Sequence, residues 1–74
     1  MKDRLLSLLN EIHPDEDFTS SENFIQDGLL DSFDVVLLVT LIEKEFSVVI
    51  PGQLVLSENF TNLNQLMSLI DRVK

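Results

Sequence analysis

The stretch from residue 32 to residue 46 constrains the fold most, because it predicts one long helix that is apolar on nearly all sides. One stripe follows helical spacing and consists of Val35, Leu38, Val39, Ile42 and Phe46. A second set lies around the other side and consists of Phe33, Val36, Leu37 and Leu41, with Thr40 among them. A folded chain of 74 residues hides only about 60% of the surface that its unfolded chain exposes. Burial of this helix on every side is therefore hard to arrange, and its second face is available for another purpose.

The second apolar face predicts a docking surface. We expect Leu41 to be drawn into the core, whereas Phe33, Val36 and Leu37 stay at least partly exposed. An exposed apolar patch typically marks a site where another molecule docks. Thr40 lies on the same face and is assigned to the same surface. The alternative is that the three exposed candidates all belong to the core.

The start of this helix places a hydroxyl beside a site that favours phosphate. Gly28 allows the backbone to turn sharply into the helix. Asp31 or Ser32 can cap the helix, because a short oxygen side chain accepts hydrogen bonds from unpaired first-turn N–H groups. We expect Ser32 to be exposed at the positive end of the helix dipole, where a phosphate group is favoured. At this point Ser32 has two interpretations, a simple N-cap or the carrier of a phosphoester.

The chain is acidic, with a formal net charge of −8 that is unevenly distributed. Residues 1–34 hold nine Asp and Glu against two Lys and Arg, a net of −7, and residues 35–74 hold four against three, a net of −1. This balance argues against nucleic acid or an anionic membrane as a partner, since both require a basic face. It favours protein partners with basic docking surfaces, reached by electrostatic steering. The alternative is that the acidity only maintains solubility.

The composition predicts one small domain over residues 1–74 that is braced by packing alone. The chain has no cysteine, so disulfides and thiolate zinc sites are excluded. No apolar run approaches the roughly 20 residues of a membrane span, and the start of the chain lacks the pattern of a signal peptide. We therefore expect a soluble cytoplasmic protein without stable membrane insertion, and a monomer.

The rest of the chain predicts further helices joined by loops. Residues 1–12 form a helix that ends at His13-Pro14, because the residue before proline avoids the helical region. A long loop over residues 14–30 follows, and the side chains expected to pin it are Phe18, Phe24, Ile25 and Leu29. A sheet is not expected, because residues 48–50 are the only strand-like segment.

The C-terminal part predicts one short helical turn and one long helix. The turn covers residues 53–56, and residues 57–60 form a connector with Phe60 pointing inward. Thr61 then caps the last helix, whose buried face is predicted to hold Leu63, Leu66, Met67 and Ile70. The fold class is all-α, a small four-helix bundle with three main helices and one short helix.

Two polar features near the first loop carry no predicted function. His13 is the only histidine and lies beside a proline at a helix end, so a structural or solvated role is expected. Residues 15–17 are Asp-Glu-Asp and could hold a divalent cation through carboxylate oxygens. They lack the regular ligand spacing of a calcium loop, which favours a solvated acidic loop.

Taken together, the chain resembles an acyl or peptidyl carrier protein over nearly its whole length. The residues that carry the resemblance are Asp31-Ser32-Phe33-Asp34, the helix ending Glu43-Lys44-Glu45-Phe46, the Ile50-Pro51 step and Phe60-Thr61 before the last helix. An Asp-Ser pair alone is common by chance. The same pair at the start of an apolar helix, followed at the right spacing by the other motifs in a short acidic chain, is specific.

The resemblance implies that Ser32 accepts 4′-phosphopantetheine from coenzyme A in a magnesium-dependent reaction of a separate phosphopantetheinyl transferase. The thiol of this arm would hold an acyl or aminoacyl group as a thioester, and the chain itself would catalyse nothing. Asp31 would belong to the motif that the transferase reads. Asp34 would contact the transferase or a ligase, or only compensate the helix dipole. Further partners would be an acyl- or aminoacyl-activating ligase and a downstream acyltransferase or synthase.

The chain departs from carriers of fatty-acid synthesis in two respects. Those carriers tend to have Gly-Ala-Asp-Ser-Leu, whereas this chain has Gly28-Leu29-Leu30-Asp31-Ser32-Phe33. Leu37 and Lys44 also stand where those carriers commonly place acids. The chain is therefore closer to D-alanyl carriers and other stand-alone carriers.

Two other classes of function remain as alternatives. The first is an acidic interaction or regulatory domain that keeps the carrier fold but is never modified. The second is an enzyme, which the sequence does not favour, because no His–Ser or Cys–His pair and no convincing metal site are present.

Overall fold

Three α-helices form where apolar residues recur at helical spacing. The structure is a computed structural model that describes residues 1–74. Its helices are α1 (Lys2–Ile12), α2 (Ser32–Phe46) and α3 (Leu63–Val73), and two 3₁₀-helices lie between α2 and α3, at Gly52–Leu54 and Ser57–Phe60. No strand is present, which confirms the all-α prediction. The longest helix, α2, has 15 residues, and no helix combines the length and apolarity of a membrane span.

The short fourth helix is not an α-helix. The turn predicted over residues 53–56 is a 3₁₀-helix over Gly52–Leu54, and the connector over Ser57–Phe60 is a second one. Pro51 is extended before the first, and Val55 leaves the helical region after it, with φ −81° and ψ 72°. An α-helix needs more residues than these segments have before its hydrogen bonds offset the cost of starting it. Segments of three or four residues therefore form 3₁₀-helices, which close a hydrogen bond over fewer residues.

The core is one cluster of 13 buried apolar side chains. The helices and the region before α3 supply ten of them, Leu5, Leu8, Leu9, Leu38, Ile42, Ile50, Phe60, Leu66, Leu69 and Ile70. The first loop supplies Phe18, Phe24 and Leu30, and the two phenylalanine rings meet edge to face with centroids 5.1 Å apart. Two of the pins predicted for this loop, Ile25 and Leu29, are only half-buried. Burial of aromatic side chains gives the long loop enough contact to stay ordered.

The N-cap of helix α3 lies one residue later than predicted, at Asn62 instead of Thr61. Thr61 is not the N-cap, because its backbone is helical, with φ −81° and ψ −28°, as the end of the preceding 3₁₀-helix. The extended residue is Asn62, whose side-chain oxygen accepts a 2.8 Å hydrogen bond from the N–H of Gln65. Leu69 joins the buried face of α3, while Leu63 and Met67 are half-buried.

Helices α1 and α2 are tied together at the end of α2. The Nε of Arg4 donates a 2.8 Å hydrogen bond to Oε2 of Glu45, and a second guanidinium nitrogen lies 2.6 Å from the Glu45 carbonyl oxygen. The same guanidinium lies 4.5 Å from the centroid of the Phe46 ring. Arg4 therefore contacts a carboxylate, a carbonyl of the last turn and an aromatic face, all of which favour a cation.

The capping of α3 makes a testable distinction between two neighbouring residues. Asn62→Ala should lower the free energy of unfolding by about 1 kcal/mol, because it removes an N-cap. Thr61→Ala should change it by no more than about 0.5 kcal/mol, since the Thr61 side chain only donates an exposed hydrogen bond to the Glu58 carbonyl and its backbone bond from Phe24 is kept. Urea unfolding of both variants checks this order, and a larger loss in Thr61→Ala would contradict it.

Candidate functional site

The backbone reaches α2 through a tight turn that the sequence predicts at Gly28. Gly28 has φ +78°, in the left-handed region that favours glycine. The N–H groups of Leu29 and Leu30 both donate to the Phe24 carbonyl, at 2.8 and 3.1 Å. Leu30 is buried in the core directly before the helix. The last residues before α2 are thus fixed by backbone hydrogen bonds and by a buried side chain.

A capping box closes the start of α2 and decides which residue is the N-cap. Asp31 is extended, with φ −111° and ψ −173°, and its Oδ1 accepts a 2.9 Å hydrogen bond from the N–H of Asp34. In return, Oδ2 of Asp34 accepts a 3.1 Å hydrogen bond from the N–H of Asp31. These two carboxylates satisfy the cap reciprocally. The interpretation of Ser32 as a simple N-cap is therefore wrong.

Ser32 is the first residue of α2, and it is exposed. The N–H groups of Asp34 and Val35 are taken by Asp31, through its side chain and its carbonyl oxygen. The N–H groups of Ser32 and Phe33 have no acceptor within the chain. An exposed hydroxyl thus lies beside two free N–H donors at the positive end of the helix dipole.

His13 joins this site, which the sequence did not predict. Its Nε2 lies 2.8 Å from Oδ2 of Asp34, 21 residues further along the chain. The hydrogen bond to Asp34 raises the pKa of His13 above its ordinary 6.5, against the lowering effect of burial, and the charges of Asp34, Glu16 and Asp31 add to the rise. Burial acts to raise the pKa of Asp34, but the hydrogen bonds from His13 and Asp31 outweigh it, and the pKa lies below its ordinary 3.8.

The outer face of α2 is apolar and open to solvent, beginning beside Ser32. Phe33 is 85% exposed, Val36 63% and Leu37 47%, so these side chains are outside the core. Thr40 is exposed on the same helix, and its hydroxyl donates to the Val36 carbonyl. Leu41 is half-buried against the core rather than fully enclosed, so the prediction that it is drawn inward holds only in part.

The acidic residues after His13 form a turn rather than a site. Asp17 accepts hydrogen bonds from Thr19 and Ser20, and the bond from the Thr19 hydroxyl is the main reason that the pKa of Asp17 lies below its ordinary value. Asp15 and Glu16 are exposed. No group of three or more His, Asp or Glu side chains is arranged to hold a metal ion.

The surface clefts of the molecule do not include the start of α2. One is lined by residues of the first loop and the start of α3, the other by residues of α1 and the later part of α2. Neither is lined by Asp31, Ser32 or Asp34. The Ser32 hydroxyl therefore lies on the open surface and not in a cleft.

The comparison with protein families gives one match that covers most of the chain. The family model of the phosphopantetheine attachment site matches residues 2–70. The chain belongs to this family. No curated protein and no solved structure gives a significant match.

A phosphopantetheine attachment domain carries 4′-phosphopantetheine as a covalent group. The residues at the start of α2 fit such a group, because a phosphoester on the Ser32 hydroxyl would lie beside the free N–H groups of Ser32 and Phe33. Domains of this family generally carry the group and are not themselves catalysts. The all-helical chain with three α-helices agrees with a small carrier fold.

The turn into α2 of this attachment domain depends on the left-handed conformation of Gly28. Gly28→Ala should cost roughly 1–2 kcal/mol of stability, because any other L-residue is strained at φ +78° although an added Cβ meets no atom within 4 Å. Gly52→Ala is the matched control, since its Cβ also meets open space and its φ is not in the left-handed region. It should be neutral or stabilising by up to about 1 kcal/mol. Thermal unfolding of the two variants measures this, and equal stability would contradict the role of Gly28.

Proposed function

We propose that Ser32 is the residue that carries 4′-phosphopantetheine, and that residues 1–74 form a single carrier domain that tethers an acyl or aminoacyl group as a thioester. The observation that carries this proposal is the exposed Ser32 hydroxyl at the first position of α2, where Asp31 and Asp34 perform the capping. A hydroxyl that is not needed to cap the helix is free to be esterified without loss of the helix start.

The chain's own residues present the hydroxyl and receive the phosphate. Ser32 contributes the oxygen of the phosphoester, and the unpaired N–H groups of Ser32 and Phe33 favour its negative charge. Asp31 holds the first turn through Asp34 and lies exposed beside Ser32, where an approaching transferase can read it. The attached group supplies the thiol that forms the thioester, which a chain without cysteine lacks.

The partners of this carrier are proposed to be separate enzymes. A phosphopantetheinyl transferase would modify Ser32, a ligase would load an acyl or aminoacyl group, and an acyltransferase or synthase would receive it. These enzymes would dock on the exposed face of α2, which consists of Phe33, Val36, Leu37 and Thr40. Asp34 would add a further contact to the transferase or the ligase. The acidic first half of the chain would add attraction to basic surfaces of the same enzymes.

The proposed type is a stand-alone carrier that is closer to D-alanyl carriers than to carriers of fatty-acid synthesis. It is supported by Leu29-Leu30 before the Asp31-Ser32 pair and by Phe33 after it. It is also supported by the exposed face of α2, where Leu37 and Lys44 stand in place of acids. Such a face would bind an enzyme by apolar contact more than by charge.

Modification of Ser32 is tested with coenzyme A, magnesium and a transferase of broad specificity. The intact chain should gain the mass of one phosphopantetheine group, and a peptide containing Ser32 should carry it. Ser32→Ala should gain nothing, and Ser57→Ala, which changes an exposed serine elsewhere, should be modified like the unchanged chain. No mass gain in the unchanged chain, or an equal gain in Ser32→Ala, would overturn the proposal.

The docking surface is tested with two leucines of nearly equal exposure. Leu37 on α2 is 47% exposed and Leu56 outside α2 is 45% exposed, so replacing either with glutamate should change stability by no more than about 0.5 kcal/mol. Leu37→Glu should slow loading of the modified carrier by its ligase about tenfold or more, since a charge in the centre of an apolar interface is costly. Leu56→Glu should load normally. Equal rates for both variants, at equal stability, would contradict the role of this face.

A further inference from the structure

We propose that His13 is a positioning residue for the modification of Ser32, because its imidazole holds the carboxylate that fixes the first turn of α2. This inference rests on the proposed function of Ser32. His13 does not touch the reacting oxygen in this proposal; it acts through Asp34.

The contact is built on a single carboxylate oxygen. Oδ2 of Asp34 accepts from the N–H of Asp31 at 3.1 Å and lies 2.8 Å from Nε2 of His13. The carboxylate of Asp34 is mostly buried, with 16% of its side chain exposed, whereas 38% of the His13 side chain is exposed. The two hydrogen bonds of the capping box join residues of the same turn. His13, the C-cap of α1, is the only partner of the Asp34 carboxylate that comes from another part of the chain.

His13 is itself in a fixed place at the end of α1. It is the C-cap of this helix, and its backbone N–H donates to the Leu9 carbonyl. Pro14 follows and restricts the backbone of His13. The imidazole therefore connects the rigid end of α1 to the first turn of α2. Without that connection the remaining hydrogen bonds of the first turn are all local, and helix ends of this kind fray.

The charges around His13 also favour its protonated form. The groups that face it are Glu16 from the first loop, Asp31 from the N-cap and Asp34 from α2. Three carboxylates thus surround one imidazole and favour its positive charge. A phosphoester on Ser32 would add further negative charge to this end of α2. The contribution of His13⁺ is complete below the ordinary pKa of 6.5 and is lost as the pH rises through the raised pKa of the folded chain. The neutral imidazole keeps an N–H donor in one tautomer, so only the charge is lost.

The experiment measures initial rates of modification by intact mass from about pH 6 to pH 8.5, which spans the titration of a histidine. The variants are His13→Gln, which keeps an N–H donor without a charge, and His13→Leu, which removes both. Arg4→Gln is the matched control, because it breaks the other polar tie between α1 and α2, at Glu45, far along α2 from Ser32. Each rate is divided by that of the unchanged chain at the same pH, which cancels the pH dependence of the transferase. Circular dichroism confirms that each variant is folded.

His13→Leu should be modified about two- to tenfold more slowly at every pH, the effect expected from the net loss of one ordinary hydrogen bond. His13→Gln should be slower near pH 6 and should approach the unchanged chain as the pH rises, because the neutral imidazole and the amide then offer the same donor. Arg4→Gln should be modified at the normal rate even where its thermal stability is lower. A general loss of stability would not produce this pH dependence.

The inference is overturned if both His13 variants are modified at the normal rate at every pH while the unchanged chain gains mass. It is equally overturned if Arg4→Gln is slowed as much as His13→Leu, since His13 would then contribute only to general stability. If the unchanged chain gains no mass at all, the proposed function falls together with this inference. The result on the unchanged chain therefore separates the two failures.

Discussion

The reciprocal hydrogen bonds between Asp31 and Asp34 are the interaction on which the rest of the site depends. A helix start leaves N–H groups without partners, and in this chain two neighbouring carboxylates satisfy the cap. If Ser32 were the N-cap, its oxygen would be an acceptor for the backbone and would turn inward over the first turn. Because Asp31 takes that position, Ser32 becomes the first helical residue and its hydroxyl lies in solvent. The choice of cap therefore leaves the Ser32 hydroxyl without a structural role, because the neighbouring Asp31 performs the capping.

Helix α2 packs one face on the core and exposes an apolar face to solvent, because it has more apolar residues than a small core can bury. Leu38 and Ile42 are completely buried, while Phe33 and Val36 on the same helix are more than half exposed. The exposed pair offers no stability through burial in the isolated chain, and an exposed apolar patch of this kind typically marks a docking site. The exposed face begins directly beside Ser32. An enzyme that binds this face would thus have the Ser32 hydroxyl within its reach.

The sequence predicted the elements well where one local signal dominates. Helix α2 has the bounds that its apolar spacing indicates, and the left-handed Gly28 lies where a sharp turn was expected. The predicted N-cap of α3, Thr61, was wrong. Thr61 and Asn62 are both good capping residues, and the choice between them depends on the backbone. Thr61 is held helical by the preceding 3₁₀-helix, so the extended Asn62 caps instead. Sequence spacing does not contain that information.

The contact between His13 and Asp34 was beyond prediction for a different reason. The two residues are 21 positions apart, and only the packing of α1 against α2 brings them together. The same packing brings Arg4 to Glu45 near the other end of α2. Each tie pairs a cationic or titratable side chain of α1 with a carboxylate of α2, in a chain whose net charge is −8. Of the two Lys and Arg residues in the first half, Arg4 pairs with a carboxylate of α2 at Glu45, and a protonated His13 does the same at Asp34. In so acidic a chain these two contacts offset carboxylate charges that would otherwise repel their acidic neighbours.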